Sequence, residues 1–167
     1  MGIFKHNVSN LTMHEIFRQH VESLHPSCEN LLQYPSFTFA TLPKKLPLAG
    51  VYLFSEQGKD LYVGRTNNIR KRIQQHCRPG SGHNTAPFAF RLAREKRQIL
   101  KATYTAEGSR ENLLRDTAFF DAFVAAKARV RSMDVRVVEE SNSLRQALLE
   151  MYVAIVLDAP YNDFDNH

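Results

Sequence analysis

The sequence has few of the features that mark disulfide-rich, zinc-binding or membrane-spanning proteins. Its 167 residues include two cysteines, Cys28 and Cys77, which form no CxxC pair. Zinc ribbons and disulfide scaffolds need more cysteines at closer spacing, so the chain fits a reducing compartment. No stretch approaches the ~18 uninterrupted apolar residues of a membrane-spanning helix, and the N-terminal segment lacks the apolar core of a signal peptide. We therefore expect a cytoplasmic protein that does not associate with a membrane.

The balance of charges is positive but moderate. The sequence contains 22 lysines and arginines against 17 aspartates and glutamates, a net charge of +5. Such a charge favours a polyanionic partner, although ribosomal, membrane-surface and nuclease proteins all share it. The length fits one domain with appendages better than two full domains.

Apolar spacing and capping signals predict an α+β chain. The predicted helices are residues 10–25, 67–78, 85–102, 110–132 and 143–158, and the predicted strands are 51–54, 61–63 and 134–139. Four prolines in residues 26–49 predict an irregular connector. A capping box from Ser143 to Gln146 is expected to open the last helix. This order predicts a small, largely antiparallel three-stranded sheet flanked by helices.

The first two strands are expected to form a hairpin. Its most economical loop is residues 56–58, with Gly58 in the left-handed position of a three-residue turn. That register sets Tyr52 directly opposite Tyr62 on one face. The residues expected on the opposite, core face are Val51, Leu53, Leu61 and Val63.

Arg72 and His76 occupy an unexpected face of the helix that follows the hairpin. They lie four residues apart, beside Ile69 and Ile73. Since the isoleucines must face the body of the protein, we expect Arg72 and His76 to point along the rim of the sheet, near the tyrosines. A basic, solvated helix face is the alternative.

Glu150 is the one charged residue in residues 147–157. A helix that is apolar nearly all round is typical of a buried helix. A carboxylate there must be paired, protonated or bound to a metal. We expect either a salt bridge to a nearby arginine or an oxygen ligand for Mg²⁺, which commonly takes one or two carboxylates.

These features together resemble the GIY-YIG nuclease domain family. The matching positions, in order, are Gly50-Val51-Tyr52, Tyr62-Val63-Gly64, Arg65, Arg72, His76, Glu150 and Asn162. The resemblance predicts an N-terminal helical extension at residues 1–46 and a GIY-YIG-like domain at residues 47–164. Residues 77–149 are more than a compact member needs between His76 and Glu150, so we expect a helical insertion at about residues 103–132.

The resemblance implies a DNA endonuclease that hydrolyses phosphodiester bonds with one divalent ion, Mg²⁺ or Mn²⁺, on Glu150. Arg72 is suited to neutralising phosphate charge. The family pattern favours Tyr52 as general base, while His76 has an unperturbed pKa near 6.5 that suits the task better, so both stay open. Tyr62 would bond the phosphate or share the proton transfer.

Further roles are predicted for Asn162 and for basic residues. Asn162 would hold the phosphate or a ligand, or is an ordinary turn residue. The candidates for phosphate contacts are Arg65, Arg70, Lys71, Arg78, Arg91 and Arg94. A solvated charged face is their alternative.

DNA is the expected partner, and the oligomeric state, monomer or homodimer, is open. The other functional hypothesis is a non-catalytic nucleic-acid-binding module or regulatory interaction protein on the same fold.

Overall fold

A computed structural model describes residues 13–99 and 108–162. Its sheet has three antiparallel strands in the order β2-β1-β3. The strands are β1 (Gly50–Glu56), β2 (Lys59–Thr66) and β3 (Asp134–Glu139). The helices are α1 (Glu15–Glu22), α2 (Leu24–Gln33), α3 (Ile69–Cys77), α4 (Pro87–Lys96), α5 (Arg110–Leu113), α6 (Thr117–Ser132) and α7 (Ser143–Val156). The predicted α+β class and three-stranded antiparallel sheet are confirmed.

Helices cover both faces of the sheet. On one face, Tyr52, Phe54 and Val137 pack with α3, α4 and α6. On the other face, Val51 and Leu53 pack with α2 and α7. The alternation of side chains along β1 therefore divides the interior into two apolar clusters. Within the described ranges, none of the helices combines the length and hydropathy that a membrane crossing requires.

The predicted hairpin register was wrong, although the predicted faces of the two tyrosines were right. Tyr52 lies opposite Gly64, and Tyr62 lies opposite Phe54. The turn has two residues, Gln57 and Gly58, both with positive φ (52° and 77°), which is the geometry of a tight hairpin. An irregularity in the pairing leaves Leu61 without a strand partner.

This bulge also explains why one predicted core position differs. Val51, Leu53 and Val63 share a cluster as expected, whereas Leu61 packs with the cluster on the other face. An extra residue in one strand interrupts the alternation of side chains.

The prediction of an irregular connector was wrong for its first part, because α2 runs through residues 26–33. Pro26 is the third residue of α2, where a backbone N–H has no partner within the helix, so proline is tolerated. Pro35 acts in the usual way: Tyr34 before it is extended, and the helix ends.

The helices mostly follow the prediction, with several corrections. The predicted helix at 110–132 is divided into α5 and α6, and Asp116 caps α6 by accepting a hydrogen bond from the Phe119 amide at 2.7 Å. Asn142, rather than Ser143, caps α7. The predicted helices at 10–25 and 85–102 were too long at their first and last residues, respectively, because α1 begins at Glu15 and α4 ends at Lys96. Residues 10–12 and 100–102 lie outside the described residues, as do residues 103–107 of the predicted insertion. The proposed domain boundaries stay predictions.

A further correction concerns α7, which is not buried all round. Leu144, Met151 and Ile155 are 57%, 46% and 71% exposed, while Leu149 and Val153 are buried against the sheet. The helix covers one face of the sheet, and no described element covers its outer side, so only one stripe is buried.

Candidate active site

The glycines of the two tyrosine motifs lie where a side chain would not fit. A Cβ atom on Gly50 would lie 1.9 Å from the carbonyl oxygen of Val138 on the neighbouring strand. A Cβ atom on Gly64 would lie 2.2 Å from the Tyr52 phenol oxygen. The Tyr52 side chain therefore lies across β2 where Gly64 leaves room for it, which explains the glycines in both tyrosine-containing motifs.

The Tyr52 phenol joins Arg72 and His76. Its oxygen lies 2.9 Å from His76 Nε2 and accepts a hydrogen bond from Arg72 Nε at 3.2 Å. The tautomer of His76 decides the direction of this contact: with the imidazole proton on Nδ1, the phenol donates to Nε2 while it accepts from Arg72. Nδ1 is buried and has no partner among the described residues.

Helix α3 brings Arg72 and His76 to the phenol. Asn68 caps this helix by accepting a hydrogen bond from the Lys71 amide at 3.0 Å. Ile69 and Ile73 are fully buried, so their face turns to the sheet and carries Arg72 and His76 with it.

Burial controls the protonation of this cluster. Tyr52 and His76 are 1% and 0% exposed. Burial, followed by the Tyr62 phenol, raises the pKa of Tyr52 against the opposing charge of Arg72. Burial, followed by the charge of Arg72, lowers the pKa of His76 well below its usual value. Both side chains are therefore neutral at neutral pH.

Tyr62 lies beside the cluster and is more accessible than Tyr52. Its ring stacks on Phe88 of α4, with centroids 4.7 Å apart, and lies 6.4 Å from the Tyr52 ring. Burial raises the pKa of Tyr62, and the charges of Arg72 and Arg91 oppose this. Stacking on Phe88 fixes the direction of a phenol that sequence reasoning placed only approximately.

Glu150 approaches from α7, on the other side of the sheet edge. Its Oε2 accepts a hydrogen bond from Arg65 Nε at 3.1 Å, so the predicted salt bridge to an arginine is present. Burial raises the pKa of Glu150, while Arg65 and then Arg72 oppose the rise. The charge of Glu150 in turn raises the pKa of Tyr52 and Tyr62, so the carboxylate belongs to the same electrostatic environment.

A single divalent ion fits this carboxylate. Its Oε1 accepts no hydrogen bond from the described residues, and burial, which raises the pKa of Glu150, disfavours the ionised form unless cations stay near it. No cluster of three histidine, cysteine, aspartate or glutamate side chains exists in the described part of the chain. An ion held by Glu150 would therefore have to keep most of its waters.

Asn162 is bonded to the backbone of β2. Its Oδ1 accepts from the Val63 amide and its Nδ2 donates to the Val63 carbonyl, both at 2.8 Å. The adjacent Tyr161 amide donates to the Leu61 carbonyl at 3.2 Å. These bonds occupy both polar atoms of Asn162, so the residue fixes the chain after α7 to the edge strand.

The predicted phosphate-contact residues differ in their surroundings. Arg70 donates to the carbonyls of Pro43 and Lys44 and so holds the segment before β1. Arg91 donates to the Tyr161 carbonyl, and Arg94 to that of Ile99. Lys71 and Arg78 are exposed at α3, and Arg78 donates to Gln74.

Sequence reasoning missed three groups around Arg72 and Tyr62. Arg72 Nη1 donates to the Thr85 carbonyl at 3.2 Å and to Gln75 at 3.4 Å, and Phe88 supports Tyr62. Gln75 lies three residues after Arg72 on the same helix and could have been found by helical spacing. Nothing in the sequence pattern marks a backbone carbonyl in a loop.

Comparison with known proteins agrees with this geometry. Residues 48–115 match the model of the GIY-YIG catalytic domain. A stretch of 42 residues is 40% identical to the UvrABC system protein C of Deinococcus radiodurans, covering 25% of this chain but 7% of that protein. No solved structure matches the chain. The matched segment, the tyrosine motifs and the three-stranded antiparallel sheet agree with one another: residues 48–115 are similar to the GIY-YIG catalytic domain.

Proposed function

We propose that this protein is a metal-dependent DNA endonuclease that hydrolyses phosphodiester bonds at the site around Tyr52. The observation that carries the proposal is the buried cluster in which one phenol oxygen bonds both an arginine and a histidine. Core packing alone does not require three such groups within hydrogen-bond distance, whereas phosphodiester hydrolysis needs both a proton acceptor and a cation.

The sequence left open whether Tyr52 or His76 is the general base. In this proposal the two residues act together. With its pKa raised, the Tyr52 phenol is protonated at neutral pH and cannot act as a preformed phenolate. It takes the proton of the attacking water while passing its own proton to Nε2 of His76, 2.9 Å away. His76 and Tyr52 are both buried, at 0% and 1% exposed, so in this proposal the attacking water reaches the Tyr52 oxygen only once it enters the site with the substrate.

Arg72 has two tasks. Its Nε donates to the Tyr52 oxygen and stabilises negative charge that develops there. Its guanidinium fork also matches phosphate oxygens. Tyr62, held by Phe88, would donate its O–H to the phosphate.

Glu150 would hold one Mg²⁺ or Mn²⁺ through the oxygen that Arg65 leaves free. When bound, the ion would stabilise charge on the phosphate and the departing oxygen. Arg65 then remains beside the carboxylate as a candidate phosphate clamp.

The proposal is tested by incubating supercoiled plasmid with the protein and Mg²⁺ or Mn²⁺. We expect nicked or linear DNA from the unchanged chain and at least a ~100-fold lower rate for Glu150→Gln, Arg72→Ala and Tyr52→Phe. Chelation of the ion should also stop cleavage.

The matched controls are Glu111→Ala and Arg115→Ala, which alter a surface ion pair with 77% and 72% exposed side chains. These variants should cleave at the unchanged rate. Cleavage that persists in all three site variants would overturn the site assignment. Tight, salt-sensitive DNA binding without any cleavage would instead favour a non-catalytic binding module.

A further inference from the structure

Lys127 is a buried lysine without an acidic partner in the part of the chain that the structure describes. It lies on α6, is 5% exposed, and forms no ion pair with a described carboxylate. Its ammonium donates to the carbonyls of Pro79 and Ser81, the latter at 3.0 Å. It also lies 4.6 Å from the centroid of the Phe123 ring. Burial lowers its pKa, as expected where an ammonium loses water without gaining a counter-charge.

Such a lysine is a poor way to stabilise an interface between a helix and a loop. An apolar side chain of similar length would avoid the desolvation of the ammonium. The lysine instead fixes the orientation of two backbone carbonyls in one loop, because its ammonium donates a hydrogen bond to each.

That loop, residues 78–86, follows α3 and contacts Arg72 through the Thr85 carbonyl. No atom lies within 4 Å of the place where a Cβ on Gly80 or Gly82 would be, and the two glycines themselves bring no side chain to pack. Within it, the Thr85 amide donates to the Gly82 carbonyl at 3.1 Å. The Thr85 carbonyl in turn accepts from Arg72 Nη1 at 3.2 Å. Lys127 therefore anchors the loop at Ser81, and the loop presents the carbonyl that orients the guanidinium.

The same loop forms one wall of an open cleft of about 580 Å³ whose lining includes Gln75 and Thr85. Both residues bond Arg72. The position of the loop thus affects both the direction of Arg72 and the shape of the space beside it.

We propose that Lys127 is a positioning residue for the active site, acting on Arg72 through the 78–86 loop. The proposal rests on the proposed nuclease function for its catalytic consequence. Lys127 lies outside the residues 48–115 that match the family model. In this proposal the region predicted as an insertion contributes to the site through the loop.

The test compares Lys127→Met, which keeps a side chain of similar length without the ammonium, with Lys59→Met at the exposed hairpin turn. Cleavage of a fluorescently labelled DNA duplex is followed with Mg²⁺ over a range of DNA concentrations. We expect Lys127→Met to lower kcat about 10- to 100-fold with KM changed less than about threefold, because a small misplacement of a catalytic group has effects of this size. Lys59→Met should leave both constants unchanged.

A second readout does not need cleavage. The side-chain Nε–H signal of Arg72 in ¹H–¹⁵N spectra, identified by its absence in Arg72→Lys, should shift or broaden in Lys127→Met and stay in place in Lys59→Met. If the unchanged chain cleaves no DNA, the proposed function fails, while this signal still decides whether Lys127 positions Arg72.

Melting curves check that each variant is folded. Should Lys127→Met fail to fold, Lys127→Gln, which keeps one donor, is measured in the same way with a smaller loss expected. A folded variant with unchanged kcat and an unchanged Arg72 signal would overturn the proposal. So would a loss of activity that only follows the loss of folded protein.

Discussion

At the scale of single residues, Gly64 decides whether the Tyr52 phenol can reach its partners. The nearest atoms to a Cβ at this position would be the phenol oxygen at 2.2 Å and Cζ at 2.3 Å. The ring cannot move aside easily, because Phe54 and His76 lie against it with centroids 5.8 and 5.6 Å away. The glycine and the tyrosine therefore form one structural unit.

We predict that Gly64→Ala displaces the Tyr52 ring and breaks its bonds to Arg72 and His76. Overpacking of a filled interior costs about 1–3 kcal/mol, and DNA cleavage should fall at least tenfold with the misplaced phenol. Urea unfolding and the plasmid assay measure the two effects.

The matched control is Gly58→Asn in the hairpin turn. Its φ of 77° is one that asparagine tolerates, and no atom lies within 4 Å of a Cβ there. Stability and cleavage should change little. If Gly64→Ala were as stable and active as Gly58→Asn, the close approach of Tyr52 to β2 would be disproved.

At the scale of elements, sequence patterns predicted what local chemistry determines. The strand 134–139 and the helix predicted at 67–78 were found because apolar period and capping are local signals. The hairpin register was missed because it depends on a bulge at Leu61 and on space beside Gly64, which are tertiary facts. The exposed side of α7 was missed because composition does not reveal which neighbours a helix has.

The site shows the same division between local and tertiary information. The grouping of Tyr52, Arg72 and His76 followed from a hairpin and one helical turn. The structural role of Asn162 could not be predicted from the sequence, because its partner is the backbone of Val63, 99 residues earlier. That pair matters at this scale because it fastens the end of α7, which carries Glu150, to the edge strand that carries Tyr62.

We predict that Asn162→Ala weakens this attachment. The Val63 amide and carbonyl would lose partners, which costs about 1–3 kcal/mol when the groups stay away from water. The free energy of unfolding should fall by this amount, and hydrogen exchange at the Val63 amide should become faster.

Asn84→Ala is the control, since Asn84 is exposed and has no side-chain hydrogen bond to a described residue. It should change neither quantity. Unchanged exchange at Val63 in Asn162→Ala would contradict the role of Asn162 as a backbone partner.

At the scale of the whole molecule, the site is built from both faces of the sheet. Tyr52, Tyr62 and His76 belong to the face covered by α3, α4 and α6, whereas Glu150 comes from α7 on the other face. The two sets meet at β2, the edge strand, where Arg65 pairs with Glu150. In the proposed function, DNA would approach this edge, and basic residues near it differ in how free they are to meet phosphate.

The chain has a net charge of +5, and this difference predicts that its basic residues contribute unequally to DNA binding. Lys71 is exposed and its ammonium has no hydrogen-bond partner among the described residues, while Arg70 is held by the carbonyls of Pro43 and Lys44. Each phosphate contact adds about 0.9 to the slope of log affinity against log salt concentration for duplex DNA. Lys71→Ala should therefore lower the slope by about one, whereas Arg70→Ala should leave it nearly unchanged and reduce stability instead.

Fluorescence anisotropy of a labelled duplex without divalent ions measures the slopes, and urea unfolding measures the stabilities. Equal slopes for the two variants would mean that Arg70 exchanges its carbonyl partners for phosphate, and the segment before β1 would then have to move when DNA binds.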